Sequence, residues 1–307
     1  MPEPAVHDEV RGHPLTEITD PSPTTDLTVV IGSTGTASPE ACLAALEPQR
    51  DGAQVIVCEP APSPPELRQR FRWAEWVLLE GALVPQLWTE GIRRSRGDVV
   101  ALTISPMIPA DDWLPSVRAA HRTRYVVAGA IEPGSDLRAA DWAEYFARYS
   151  PDMLPFAPRE NPDLPGDNAS YDRRLLEDVA DTWADGFWEP VVHRAMAARG
   201  ASLWHSPSMV VRLGRSGGVR PFVRQRLHHG RAHGRQRGAL FGRGRNAIGV
   251  LASPIVPLLL TARMLRTVQG RRRHRMAAIR ALPLLLVFNV AWALGEARGH
   301  LDALRGG

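Results

Sequence analysis

From Leu27 to about Pro133, short apolar runs alternate with helical stretches, and this alternation leaves few folds open to the chain. Leu27-Thr28-Val29-Val30-Ile31 and Gln54-Val55-Ile56-Val57-Cys58 carry no charge and end at Gly- or Pro-rich turns, as strands buried on both faces do. Trp76 to Leu79, Asp98 to Leu102 and Arg124 to Ile131 read as a third, fourth and fifth strand. Between them Ser38-Pro39-Glu40 opens a helix, with Ser38 as N-cap and Pro39 at the first helical position. Pro65 to Arg72 and Pro85 to Arg94 are helical, and another helix starts across Ala110 to Leu114. Strands separated by helices pair in parallel through crossovers. The order therefore predicts an α/β fold with a largely parallel sheet and helices on both faces. Ligands of such sheets bind beyond the carboxyl ends of the strands, so the loops at Gly32, Glu59 and Ser105 are expected to line one crevice.

The chain then changes character. Ala139 to Tyr149 is helical, and Ser150 to Pro165, with five prolines, reads as a long surface loop and candidate lid. Gly166 to Arg174 leads into a helix through Val179, and a further helix from Pro190 to Arg199 ends at Gly200. Residues 1–26 are polar, Pro-rich and aperiodic, and read as a disordered tail. No signal peptide is recognisable, and two cysteines, Cys42 and Cys58, suggest neither a disulfide framework nor a zinc cluster, which fits a reducing setting.

Charge is distributed unevenly. All 37 basic residues are Arg, and between Glu189 and Glu296 there is no Asp or Glu. An Arg-rich stretch over 215–246 follows the α/β part at 27–214 and leads into 247–307. The asymmetry points to an anionic partner for the C-terminal part. Within 247–307, Ala247 to Thr261 and Ala281 to Leu294 are uncharged and apolar, but each is shorter than the roughly 20 residues a membrane-crossing helix takes. Arg lies on both sides of the first, and basic flanks prefer the cytoplasm. A pair of helices dipping into an anionic cytoplasmic leaflet reconciles these features, with core helices of a soluble domain and a two-helix hairpin as the alternatives. Arg separated by apolar helices suits a membrane surface rather than nucleic acid.

Several stretches, in order, resemble the family 2 glycosyltransferases of GT-A fold, in a membrane-associated actinobacterial-type branch. Leu27 to Ile31 resembles the family's first strand, and Val55 to Glu59 its second, with Glu59 where an Asp is usual. Gly91 to Leu102 is similar to the helix, Gly-Asp and strand that precede the family's metal motif, and Pro109 with Asp112-Trp113-Leu114 to the segment just beyond that motif. Gly166 to Arg174 resembles the Gly-x-Asn stretch near the acceptor, and Gly186-Phe187-Trp188-Glu189 the segment holding the acidic base. The resemblance spans roughly 27–240.

It implies an inverting transfer of sugar from a UDP-, GDP- or dTDP-linked donor to a lipid-linked or envelope acceptor at the cytoplasmic face of the inner membrane. Gly32, Ser33, Thr34, Glu59 and Ser105 would contact the donor nucleotide, and Glu189 would deprotonate the acceptor hydroxyl. Asn168, Trp188, Arg224 and Arg226 would serve the acceptor or the diphosphate. Asp167 and Asp172 read as turn and cap residues. The departure is at Thr103-Ile104-Ser105, where acidic residues are expected. Mg²⁺ or Mn²⁺ wants carboxylate oxygens, and Ser105 stands in place of Asp. Trp88 and Thr89 likewise stand where relatives often carry Arg and Asn. The chain then either transfers sugar without a tightly held metal, with Arg in the metal's role, or is a non-catalytic GT-A-like scaffold of an envelope assembly.

Overall fold

The computed structural model describes residues 26–215, 217–240 and 242–305. The expected tail lies outside these, apart from Asp26, whose carboxylate accepts from Arg118 Nε at 2.6 Å. The first strands form where their apolar runs fall: β1 (Leu27–Gly32), β2 (Gln54–Glu59), β3 (Glu75–Leu78) and β4 (Val99–Ile104), with α1 (Glu40–Leu46), α2 (Pro65–Arg70) and α3 (Val84–Arg94) as crossovers. β1 pairs in parallel with both β2 and β4, and β3 extends the sheet beyond β2. Beyond β4 come β5 (Met107–Pro109), α4 (Trp113–His121), β6 (Val126–Pro133), α5 (Ala139–Tyr149), β7 (Arg159–Glu160), β8 (Asn168–Asp172), α6 (Arg173–Asp178), α7 (Glu189–Ala198) and β9 (Leu203–Leu213).

The sheet is mixed rather than largely parallel. Its order is β3-β2-β1-β4-β8-β6-β9-β5, with β7 on β9. β8 enters antiparallel between β4 and β6, and β5 and β7 run antiparallel to β9. β8 reads as a loop in sequence because Asn168, Ser170 and Asp172 break its apolar pattern. It is buried nonetheless, since its polar groups find partners: Ser170 Oγ donates to Val127 O at 3.3 Å and pairs with His121 Nε2 at 2.8 Å. β9 escapes detection because Ser206-Pro207-Ser208 interrupts it. Its pairing with β6 steps from Gly129–Ser206 to Ala130–Val210, leaving Pro207, Ser208 and Met209 outside the ladder as a bulge.

The segment read as a lid is tied down. Arg271 Nη1 donates to Pro155 O and Arg273 Nη1 to Leu154 O, while Arg273 Nη2 pairs with Glu132 at 2.6 Å. Arg271 ends the third, and Arg273 lies in the turn before the last, of four helices: α8 (Val219–Leu240), α9 (Arg243–Ala252), α10 (Val256–Arg271) and α11 (Arg275–Arg305). α11, at 31 residues, is long and apolar enough to cross a membrane, longer than its apolar stretch alone suggests. Ile248, Leu251, Ile255, Leu258, Leu259 and Ile279 leave an exposed apolar face on these helices.

α8 and α11 meet backbone to backbone. A Cβ at Gly230 would lie 2.4 Å from Trp292 O, one at Gly234 2.3 Å from Glu296 O, and one at Gly299 2.3 Å from Arg231 O. Glycines four apart on each helix thus let one backbone rest on the other, a packing otherwise typical of membrane helices. Gly234→Val would force the helices apart. We expect it to cost about 1–3 kcal/mol, read as a lower midpoint in urea unfolding, whereas the exposed Gly270→Ala leaves the midpoint unchanged or higher.

Candidate functional site

Two adjoining cavities open at the carboxyl ends of β1, β2 and β4, sharing Ser33, Thr36 and Ala37 in their walls. The smaller, about 610 Å³, lies between the loop after β1 and the Ala61–Pro64 turn after β2. Glu59 sits behind that turn, fully buried. Its carboxylate accepts from Ser63 N at 3.2 Å and Ser63 Oγ at 2.6 Å, and pairs with Arg68. Glu59 therefore shapes the turn from within instead of offering its oxygens to a ligand.

The larger cavity, about 750 Å³, runs from Ser33, Thr34 and Ile104 to Trp188 and Glu189, with α8 along one side. Gly217, just before α8, backs onto the β1 loop: a Cβ there would lie 2.6 Å from Thr36 Cβ. Glu189 opens α7 with its carboxyl against Gly166, where an added Cβ would meet Glu189 Oε1 at 2.5 Å. Burial, and then the negative charge of Asp167, push the Glu189 carboxyl up to about 7, against the opposing pull of its own backbone N–H and Arg148. That places a carboxyl able to gain or lose a proton near neutrality on the cavity wall.

Beside it lies a cluster that sequence reasoning missed. Asp167 sits in the turn before β8 as expected, closed by Asn168 N donating to Pro165 O at 3.4 Å, but it is also buried, accepts from Arg148 Nη2 at 2.6 Å and from Tyr149 OH, and lines the cavity. Arg148 also pairs with Glu144 at 3.6 Å. Arg148 and Glu144 sit four apart on α5, a spacing that signals an ion pair but nothing of the cavity it faces. His228 and His229, on α8, line the same cavity. Burial first, then Arg148, Arg226 and His228, push His229 down to about 4, so it is neutral at pH 7.

Other expected contacts turn inward. Ser105 is buried, its Oγ accepting from Thr34 N at 3.1 Å and meeting Thr34 Oγ1 at 3.2 Å, so it ties two strand-end loops together. Gly32 leaves room for Trp88, which is buried and donates Nε1 to Thr103 O at 2.9 Å. Asn168 lies inside the sheet, not on an acceptor side. Its Nδ2 donates to Ala130 O and Met209 O, at the β6–β9 bulge, and its Oδ1 accepts from Trp113 Nε1 at 2.8 Å. Asp172 caps α6 as expected, accepting from Leu175 N at 3.2 Å. Trp188 and Arg224 reach the cavity wall, whereas Arg226 stacks over Trp292 at 4.2 Å.

Among solved structures, the chain is similar to the mannosyltransferase PcManGT from Pyrobaculum calidifontis, determined in complex with GDP-Man and Mn²⁺. The match has a TM-score of 0.51 and 18% identity, and covers 90% of this chain and 89% of that one. The fold is GT-A-like. No protein-family model and no curated protein matches the chain. At the end of β4, where the fold's metal would sit, the side chains do not suit a hard cation. Ser105 Oγ is bonded to Thr34, Thr103 Oγ1 donates to Asp167 O at 3.0 Å, and Glu144 and Asp167 are paired with Arg148. Among the described residues, no three His, Cys, Asp or Glu side chains gather as metal ligands.

The Glu189 environment sets a pH signature. Its proton is held to about 7 when folded against 4.5 for an ordinary Glu, so the folded state binds more protons between those values. That contribution to stability is complete below 4.5 and is lost as pH rises towards 7. In urea unfolding, Glu189→Gln should gain on the parent protein across that window, by roughly 3 kcal/mol at most, and no further above it. A difference flat with pH would mean the carboxyl ionises as it does in water.

Proposed function

We propose that the protein transfers a sugar, with inversion, from a nucleoside-diphosphate-sugar to a lipid-linked or envelope acceptor at the cytoplasmic face of the inner membrane. The observation that carries this reading is Glu189, whose carboxyl lines a cavity continuous with the loops after β1 and β4. In its ionised form it takes the proton of an acceptor hydroxyl as that oxygen attacks the anomeric carbon. The bond from sugar to phosphate breaks and the nucleoside diphosphate leaves. The smaller cavity beside Ser33 would take the nucleoside, and the donor is UDP-, GDP- or dTDP-linked. Membrane association is supported by α11 and by the exposed apolar face of α9 and α10.

A second reading, a non-catalytic GT-A-like scaffold of an envelope assembly, is favoured by one feature. Trp88 and Ser105 close the strand ends with internal bonds where a donor-metal site would be open.

Two measurements test the proposal. In calorimetric titration, one of UDP, GDP or dTDP should bind, and Glu189→Gln should keep that affinity while losing about 100-fold or more in turnover. Failure of all three to bind sinks the enzyme reading, and full turnover by the variant removes Glu189 from the role. In carbonate extraction the full chain should stay with the membrane pellet; clean release would assign α9 to α11 to ordinary soluble core.

A further inference from the structure

The cations of α8 divide sharply by partner. Arg231 and Arg235 each place Nε 2.7 Å from Asp302, Arg237 reaches Glu296 at 3.5 Å, and His233 Nε2 lies 3.8 Å from the same carboxylate. Nearer the helix start, Arg220, Arg224 and Arg226 form no ion pair among the described residues. Arg220, Arg224 and His228 recur every four residues, so they share one helix face, and all three line the larger cavity. Arg226 lies behind them with its Nε buried and bonded to nothing. Burial first, and then the nearby charge of Arg148, push Arg226 down to about 9.

The surrounding acids leave this face unmatched. Glu144 and Asp167 are paired with Arg148, and α8 lies inside the stretch from Glu189 to Glu296 that holds no Asp or Glu. Glu189 lines the same cavity but forms no ion pair with Arg220, Arg224 or Arg226 among the described residues. Guanidiniums matched along one half of a helix and unmatched along the half that faces the cavity thus leave a place for a further anion. The position narrows which anion. The same cavity is walled by Ser33, Thr34, Ile104 and Pro106, and the chain entering α8 rests on Thr36. The first turns of α8 therefore stand over the ends of β1 and β4, where the side chains do not suit a metal. The amino end of a long helix adds partial positive charge there.

We infer that Arg220, Arg224 and His228, backed by Arg226, form a binding site for the diphosphate of a nucleoside diphosphate, taking the place a divalent cation holds in metal-dependent transfer. The inference rests on the transferase reading of the same cavity. It makes the leaving group's counter-charge part of the C-terminal helices, so the donor site is complete only when α8 is packed on α11.

The test is calorimetry on the full chain in detergent with EDTA or Mn²⁺, using the free nucleoside, the matching nucleoside diphosphate and inorganic pyrophosphate. The diphosphate should bind as well in EDTA as in Mn²⁺. An Arg220→Gln/Arg224→Gln variant should weaken diphosphate binding at least about tenfold and leave nucleoside binding unchanged. Arg231→Gln/Arg235→Gln, which removes the same charge from the paired half of α8, should bind as the parent does. Binding that requires Mn²⁺, or an equal loss in both double variants, overturns the inference. Pyrophosphate binding without any nucleotide binding keeps the anion site and defeats the transferase reading instead.

Discussion

The contact on which the rest depends is the backbone packing of α8 on α11. With Gly230 and Gly234 seated on the carbonyls of Trp292 and Glu296, the rotation of α8 about its own axis has little freedom. Because Arg224 and Arg231 share one helix face, the position of α8 along α11 decides which arginines lie level with Asp302 and Glu296 and which line the cavity. A larger residue at either glycine would separate the helices and move the cationic half of α8 relative to the strand ends. The GT-A-like sheet supplies the floor of the site, and this helix pair supplies its other wall.

On the floor, one buried ion pair organises the acid chemistry. Arg148 bridges Glu144 on its own helix to Asp167 on the approach to β8, and Asp167 in turn sits beside Glu189. A lone buried carboxylate would be costly, and the shared guanidinium offsets that cost for two of the three acids. Glu189 receives only a distant part of the compensation, which is why its proton is held towards neutrality. Gly166 completes the arrangement by leaving space for the Glu189 side chain.

How much is legible along the chain depends on the range of the interactions involved. β1, β2, β4 and β6 were legible because a strand buried on both faces must be apolar along its length. β8 and β9 were not, because their polar residues are satisfied by groups distant in sequence: Asn168 by Ala130, Met209 and Trp113, and Ser170 by His121 and Val127. The mixed character of the sheet was lost with them. Glu189 stood out by motif order, but Arg148 and Asp167 carry no local mark of the cavity they share. Ser105 was legible as a missing ligand, while its actual task, bonding Thr34 across the strand ends, was not.

By itself the sequence determined the alternating α/β first half, the absence of acids from Glu189 to Glu296, the apolar C-terminal stretches and the lack of carboxylates at Thr103 to Ser105. These are properties of composition and short-range periodicity, and they hold however the chain packs. Only the tertiary structure decided which charges remain without partners. Arg224 and Arg231 lie seven residues apart on one helix and look alike in sequence, yet Arg231 meets a carboxylate of α11 and Arg224 a cavity. Pairing of that kind depends on how two helices approach each other, and the glycines that set this approach act through space rather than along the chain.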